Sequence, residues 1–374
     1  MARTHLRRRV VGARTVVQTA VAANGPRRLR PTVASSRPAV LDTATELPDL
    51  DLTRPPWPGE TIAIGGTDLF VRHTPTTAGG DVPTAVYVHG LGGASTNWTD
   101  FAGQLPGHVE GFAPDLPGFG RSGPSATGEY TIRAHARVLT AYLEHVVAAR
   151  GGPVHLFGNS MGGAIAIRVA AQRPDLLRTL TLISPAVPDL RVKRDDDPRT
   201  PLMLVPGITR IAEKRLAAVP ARQRAKGIIA LVFGDPSRVP EHRIDEAAAE
   251  ITARGADSVA SAAASAAFSA SMKGLVATWF TSRPWRDLDA VLAPTLVIWG
   301  DRDRLVSPAL APKVAATVHR ASLLVLPGVG HVAMMEEPVT TARAWLGTLG
   351  SRTPDTHPTP QAPVSGQSGS AVTS

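Results

Sequence analysis

The sequence of 374 residues contains no cysteine, which excludes disulfides, thiolate nucleophiles and thiolate metal sites together. It also lacks any run approaching about 18 uninterrupted apolar residues, the length that a membrane-spanning helix needs. None of its 11 histidines belongs to an HExxH pattern of a helical zinc site. Neither a metal nor another cofactor is expected.

Residues 1–41 lack lysine, aspartate and glutamate while carrying nine arginines, from Arg3 to Arg37. The formal charge of +9 therefore belongs to this arm, because the rest of the chain holds 31 basic against 31 acidic residues. A neutral body argues against nucleic acid as a partner. The arm reads as a solvated, disordered tail, with weak contact to an anionic membrane surface as its alternative role. Its apolar stretch 10–23 is broken by Arg14 and Gln18, a poor secretory signal, although the acid-free, Arg-rich composition also resembles a transit peptide. A cytoplasmic location is the expectation.

Short β-branched runs alternate with helical patterns along the body. Segments 61–64 and 68–73 flank Gly65-Gly66 as an opening hairpin. Further strands are read at 84–89, 111–115, 153–157, 180–183, 295–299 and 322–326, with helices at 131–150 and 162–173. This alternation predicts an α/β fold, a mostly parallel twisted sheet with helices on both faces. The rhythm breaks at 188–285, where about a hundred residues show no strand pattern; a helical lid inserted before the last two strands is expected there. The reading is a disordered extension at 1–55, a core at 56–187 and 286–350, and a disordered tail at 351–374.

The chemistry-bearing pattern is Gly158-Asn159-Ser160-Met161-Gly162-Gly163, set between a strand and a helix. A serine hydroxyl is a weak nucleophile that must be held beside a base. A sharp strand-to-helix turn lifts it above the sheet, and flanking glycines remove side chains that would clash there. His331, in Gly328-Val329-Gly330-His331, follows the last strand and has the pKa to move the serine proton. The acid that orients this histidine is Asp301 or Asp303, both just past the strand 295–299, and spacing alone does not separate them. After the first long strand, His89-Gly90-Leu91-Gly92-Gly93 offers backbone donors, so Leu91 and Met161 N–H are the candidate oxyanion hole. His89 itself is read as orienting its loop.

These motifs, with Asn97-Trp98, Asp115-Leu116-Pro117-Gly118-Phe119-Gly120-Arg121-Ser122, Gly300-Asp301-Arg302-Asp303 and Gly330-His331 followed by Glu337-Pro338, resemble the lid-bearing α/β-hydrolases over roughly residues 60–348. The branch is that of meta-cleavage-product (carbon–carbon bond) hydrolases, cofactor-free haloperoxidases and small esterases. The resemblance implies an α/β-hydrolase fold, Asp303 as the triad acid, and a purely structural role for the Asp115–Ser122 turn. The arginine arm has no counterpart in it. The expected activity is cleavage of an ester or similar activated carbonyl of an apolar small molecule through an acyl-enzyme. Trp98, Phe268, Met272 and Trp279 are candidate pocket residues, within a wider apolar lid set of Leu202, Leu204, Phe233 and Phe280. A carbon–carbon hydrolase is the alternative, drawn from Asn159, Asn97-Trp98 and a guess that Arg168 meets a substrate carboxylate; a ligand-binding protein on the same fold is a further one.

Overall fold

A computed structural model of the chain describes residues 37–189, 219–256 and 258–350. The arm as far as residue 36, Leu202 and Leu204, and the expected tail at 351–374 lie outside the described residues.

Alternating apolar residues build the sheet from its strands. On β4 (Thr84–Val88), Ala85 and Tyr87 enter one core while Val86 and Val88 enter the other. β8 (Thr295–Gly300) divides the same way, with Leu296 and Ile298 opposed to Val297 and Trp299. This period of two, apolar on both faces, is the mark of a strand buried between two helical layers. The remaining strands are β1 (Arg37–Pro38), β2 (Gly59–Ile64), β3 (Thr67–Thr74), β5 (Glu110–Pro114), β6 (Val154–Asn159), β7 (Leu177–Ile183) and β9 (Ala321–Leu326). They form one sheet in the order β1-β9-β8-β7-β6-β4-β5-β3-β2. It is parallel except where β3 pairs with β2 and β5. Gly65 and Gly66, at φ 56° and 79°, make the β2–β3 turn that the sequence reading expects.

β4 lies between β5 and β6, so the chain reverses its direction of travel across the sheet there. Such a switch point opens a crevice beyond the carboxyl ends of the strands. α1 (Ile132–Arg150) and α2 (Met161–Gln172) cover one face. α1 starts where Thr131 accepts a hydrogen bond from Ala134 N (3.1 Å) and stops at Gly151, φ 79°. The described part of 188–285 is helical, as expected: α3 (Ala221–Val232), α4 (Glu241–Ala256), α5 (Ser258–Trp279) and α6 (Arg283–Asp289). Ile229 of α3 and Ile244 of α4 join the core of Ala85 and Tyr87 (the second core), so these helices are packed into the body as well as inserted between strands. α7 (Ala311–Thr317) and α8 (Pro338–Gly350) follow, and two single-turn helices lie at Thr99–Ala102 and Ala333–Glu336.

The expected extension 1–55 is too long. β1 extends the sheet parallel to β9, and Ala39 N donates to Leu323 O (2.9 Å). Arg343 donates to the carbonyls of Asp42 (2.9 Å) and Thr45 (3.2 Å), and Leu47 and Trp57 pack on the second core. Main-chain pairing holds this proline-punctuated stretch in place, which composition does not report.

Candidate active site

Ser160 stands between β6 and α2 with φ 54° and ψ −119°, a sparsely populated conformation for a non-glycine residue. Holding it costs on the order of 1–3 kcal/mol. The surroundings supply this: Ser160 N donates to Ile183 O (3.1 Å), and its carbonyl accepts from Ala164 N (3.0 Å) and Ala186 N (2.9 Å). A Cβ on Gly158 would lie 2.6 Å from Gly162 O, and one on Gly162 would strike the Val88 and His89 carbonyls. Only glycine lets the turn close this tightly.

His331 and Asp303, the expected base and acid, meet on loops that follow neighbouring strands. His331 Nδ1 donates to Asp303 Oδ2 at 2.8 Å, with both side chains almost fully buried. Asp303 Oδ1 accepts from Leu305 N (2.8 Å) and Val306 N (3.0 Å), which fixes the carboxylate. Asp301 points elsewhere, accepting from Gly328 N (2.7 Å) and bracing the turn before His331. Asn159, beside the serine, donates to Ile183 O (3.1 Å) and to His331 O (3.0 Å). One side chain thus ties the strand of Ser160 to the loop of His331. Neither Ser160 Oγ nor His331 Nε2 has a hydrogen-bond partner among the described residues.

The Gly90–Gly93 loop lies against this turn, since a Cβ on Gly90 would sit 3.0 Å from Ser160 Cβ. His89 Nδ1 donates to Gly90 O (2.7 Å) and Nε2 accepts from Leu116 N (2.9 Å). An amide N–H can only donate, so Nδ1 carries the proton and His89 is a cross-tie between loops. Asp115 braces the arrangement, accepting from Ser95 N (2.6 Å) and Arg121 N (2.8 Å). Leu91 N–H has no partner among the described residues, and Met161, the first residue of α2, is one of the helix-end donors without an intrahelical acceptor.

The sequence profile of the Alpha/beta hydrolase family matches residues 85–344. The chain belongs to that family. Lipase 3 of Moraxella sp. (strain TA144) is 26% identical over 285 residues, covering 75% of this chain and 81% of the relative. The 2-hydroxy-6-oxononadienedioate/2-hydroxy-6-oxononatrienedioate hydrolase of Cupriavidus pinatubonensis is 27% identical over 297 residues, covering 78% and 94%. Among solved structures, a thermophilic esterase from Thermogutta terrifontis shares 26% identity at a TM-score of 0.58, covering 77% of this chain and 98% of that one. Hydrolase is the activity class that this alpha/beta hydrolase shares with them.

The candidate pocket residues separate. Phe268 is at the hydrolase's loops: a Cβ on Gly92 would lie 3.2 Å from its ring. It lines, with Gly92, Gly118, Phe119, Gly120 and Ala264, a cleft of about 70 Å³. Met272 follows on the next turn of α5, partly buried. Trp279, 11 residues past Phe268, lies about 16 Å further along the helix and out of reach of this cleft. Trp98 is a core residue and not a pocket residue. Its ring stacks on Tyr87 (5.4 Å between centroids) and meets Phe101 and Phe157 edge-on, with 1% exposure. Phe233 is likewise core, and Phe280 is 80% exposed. Arg168 pairs with Asp287 (3.0 Å) and is committed to α6. A larger groove, about 450 Å³, lies by α1 and the β2–β3 hairpin and is not lined by Ser160; two of its lining side chains, His73 and Arg150, both pair with Glu110.

Asn159, taken from the sequence as a pointer to carbon–carbon cleavage, is a tether. One residue escaped the sequence reading: Glu336 accepts hydrogen bonds from three backbone amides around the His331 loop. Glu337, part of the recognised motif, forms an ion pair with Arg238 (2.7 Å) instead. Among the described residues no helix is long and apolar enough to cross a membrane.

Proposed function

We propose that this alpha/beta hydrolase cleaves an ester, or a similarly activated carbonyl, of an apolar small molecule through an acyl-enzyme. The observation that carries the reading is the buried Asp303–His331 hydrogen bond (2.8 Å), tied by Asn159 to the strand that presents Ser160. Ser160 Oγ attacks the carbonyl carbon while His331 Nε2 takes its proton. Asp303 holds Nδ1–H and stabilises the imidazolium that forms. The N–H groups of Leu91 and Met161 receive the oxyanion, the latter with the dipole of α2 behind it. The alcohol leaves with the proton from His331, and water repeats the sequence on the acyl-enzyme. The helices of 219–285 act as the lid, and the glycine, alanine and phenylalanine lining of the cleft beside Gly92 suits an apolar group.

The features that favoured carbon–carbon cleavage have other employment. Asn159 is the tether, Asn97 accepts from Ala94 N (3.1 Å), and Arg168 is paired. This supports the ester reading over it. A panel of nitrophenyl esters of increasing acyl length, assayed with wild type and Ser160→Ala, tests the proposal. Turnover by Ser160→Ala should fall by roughly 10⁴-fold or more, leaving only what binding and the oxyanion donors supply. Retained turnover in the variant would sink the assignment.

A further inference from the structure

Glu336 closes the short helix Ala333–Glu336, five positions beyond His331, at 9% exposure. Its Oε2 accepts from Gly330 N (2.9 Å) and Gly234 N (2.9 Å), and its Oε1 from Asp235 N (3.1 Å). Gly330 immediately precedes the base. Gly234 and Asp235 immediately follow α3 and its cap Phe233. The two segments also meet directly, because His331 N donates to Val232 O (2.7 Å). A Cβ on Gly330 would strike Val232 O and Gly234 N, so their main chains are in contact. At the centre of this contact sits one carboxylate, joined by three charge-assisted hydrogen bonds.

A buried carboxylate is an expensive way to fill space. A leucine would occupy the volume without that desolvation cost, but it would leave three buried N–H groups unpaired. What the carboxylate adds is direction: two oxygens fix three N–H vectors on two separate segments. The base is therefore held at three points. Asp303 holds the ring, Asn159 the carbonyl, and Glu336 the amide on its N-terminal side.

We infer that Glu336 is a positioning residue that seats His331 on the end of α3, so that the first described helix of the lid and the catalytic base are held as one unit. This rests on the serine hydrolase reading above. Its consequence is that a displacement of α3 reaches His331 through the Val232–Asp235 segment. In acyl transfer a misplacement of about 1 Å in the base costs on the order of 10²-fold.

Glu336→Gln tests it with little change of shape. The carboxamide replaces one acceptor oxygen by an NH₂ group, which cannot accept from an amide N–H, so either Gly330 and Gly234 or Asp235 loses its partner. For a nitrophenyl ester the expected result is a fall in kcat of about 10- to 100-fold with KM changed less than about twofold, in a protein whose circular dichroism and melting show a folded chain. The discriminating readout is a double-mutant cycle. In a His331→Ala background the same substitution should cost less than about twofold of the residual turnover, because the group through which it acts is gone. An unchanged kcat in the otherwise wild-type chain, or an equal fold-loss in both backgrounds, would overturn the inference. If Glu336→Gln does not fold, Glu336→Asp, which keeps the charge but draws both oxygens back by a methylene, is read in the same cycle. Ser160→Ala in the same assay separates the two claims. Ser160-dependent turnover indifferent to Glu336 overturns the positioning role alone, whereas turnover indifferent to Ser160 overturns the hydrolase reading.

Discussion

At Asp301 and Asp303, two aspartates two positions apart on one loop do different work, and the difference is a matter of where each carboxylate finds its donors. Asp303 is buried and takes His331 Nδ1–H with one oxygen and two amides with the other. Asp301 is exposed and caps Gly328 N. Asp303→Asn places an NH₂ opposite Nδ1–H or turns the imidazole to the wrong tautomer, so kcat should fall by about 10³- to 10⁴-fold with the protein folded. Asp301→Asn keeps an acceptor for Gly328 and should stay within a few-fold of wild type; steady-state turnover of one ester at neutral pH compares them. The residue types of the site, Ser160, an acid and His331, are legible from the strand–turn–helix context and their order along the chain. The choice between the aspartates is not, because both follow β8 and only the fold of the loop aims one at His331. Glu336 is illegible for a related reason: its partners are backbone amides, which carry no sequence signature, and two of them are about a hundred residues away.

Among the elements, strands β2 to β9 and the helices α1 and α2 announce themselves through apolar periodicity, and the observed bounds differ from the expected ones by a few residues at most. α5 does not. Its Ala- and Ser-rich sequence has almost no apolar face, so its neighbours cannot be read from pattern. The structure shows small residues bringing it close to the start of α1: a Cβ on Gly274 would lie 2.9 Å from Thr131 Cα. Ser271 meets His135 Nε2 at 3.0 Å within this contact. His135 is packed by the rings of Phe119 and Tyr130, its Nδ1 has no partner, and burial, reinforced by His89, pushes its pKa down to about 4. The folded state therefore resists the proton that the unfolded chain takes up near pH 6.5. The His135 contribution to stability is fully present above pH 6.5 and is lost as pH falls from there toward 4. The loss is on the order of 3 kcal/mol at the acid end. Denaturant melts of wild type and His135→Gln between pH 7.5 and 4.5 should show a steep acid decline in the first and a shallower one in the second. Parallel curves would mean that His135 is not the group being titrated.

The whole molecule is larger than composition suggests at its front and simpler in its charge. A Pro-punctuated stretch looks like a linker, yet residues 37–57 are fastened by β1 pairing, by Arg343 to the Asp42 and Thr45 carbonyls, and by Trp57 Nε1 to Thr99 O (3.0 Å). Those bonds depend on main-chain acceptors from about forty to three hundred positions away, which composition does not register, so the extension ends before residue 37 rather than at 55. The nine arginines, by contrast, fall almost entirely before residue 37. Removing residues 1–36 should leave ester turnover within about twofold of the full chain, since no described part of the site is built from them. Removing 1–57 should lower the melting midpoint by several degrees, because it strips the β9 edge and uncovers the second core. Thermal melts and turnover of the two truncations side by side check this.

The central claim is that Ser160 is the group acylated. Incubation of the full chain with a fluorophosphonate, followed by intact mass and peptide mapping, tests it most directly. One adduct per chain on the peptide containing Ser160, absent from Ser160→Ala and slowed in Asp303→Asn, is the predicted result. An adduct on another residue, or undiminished labelling of Ser160→Ala, would contradict it.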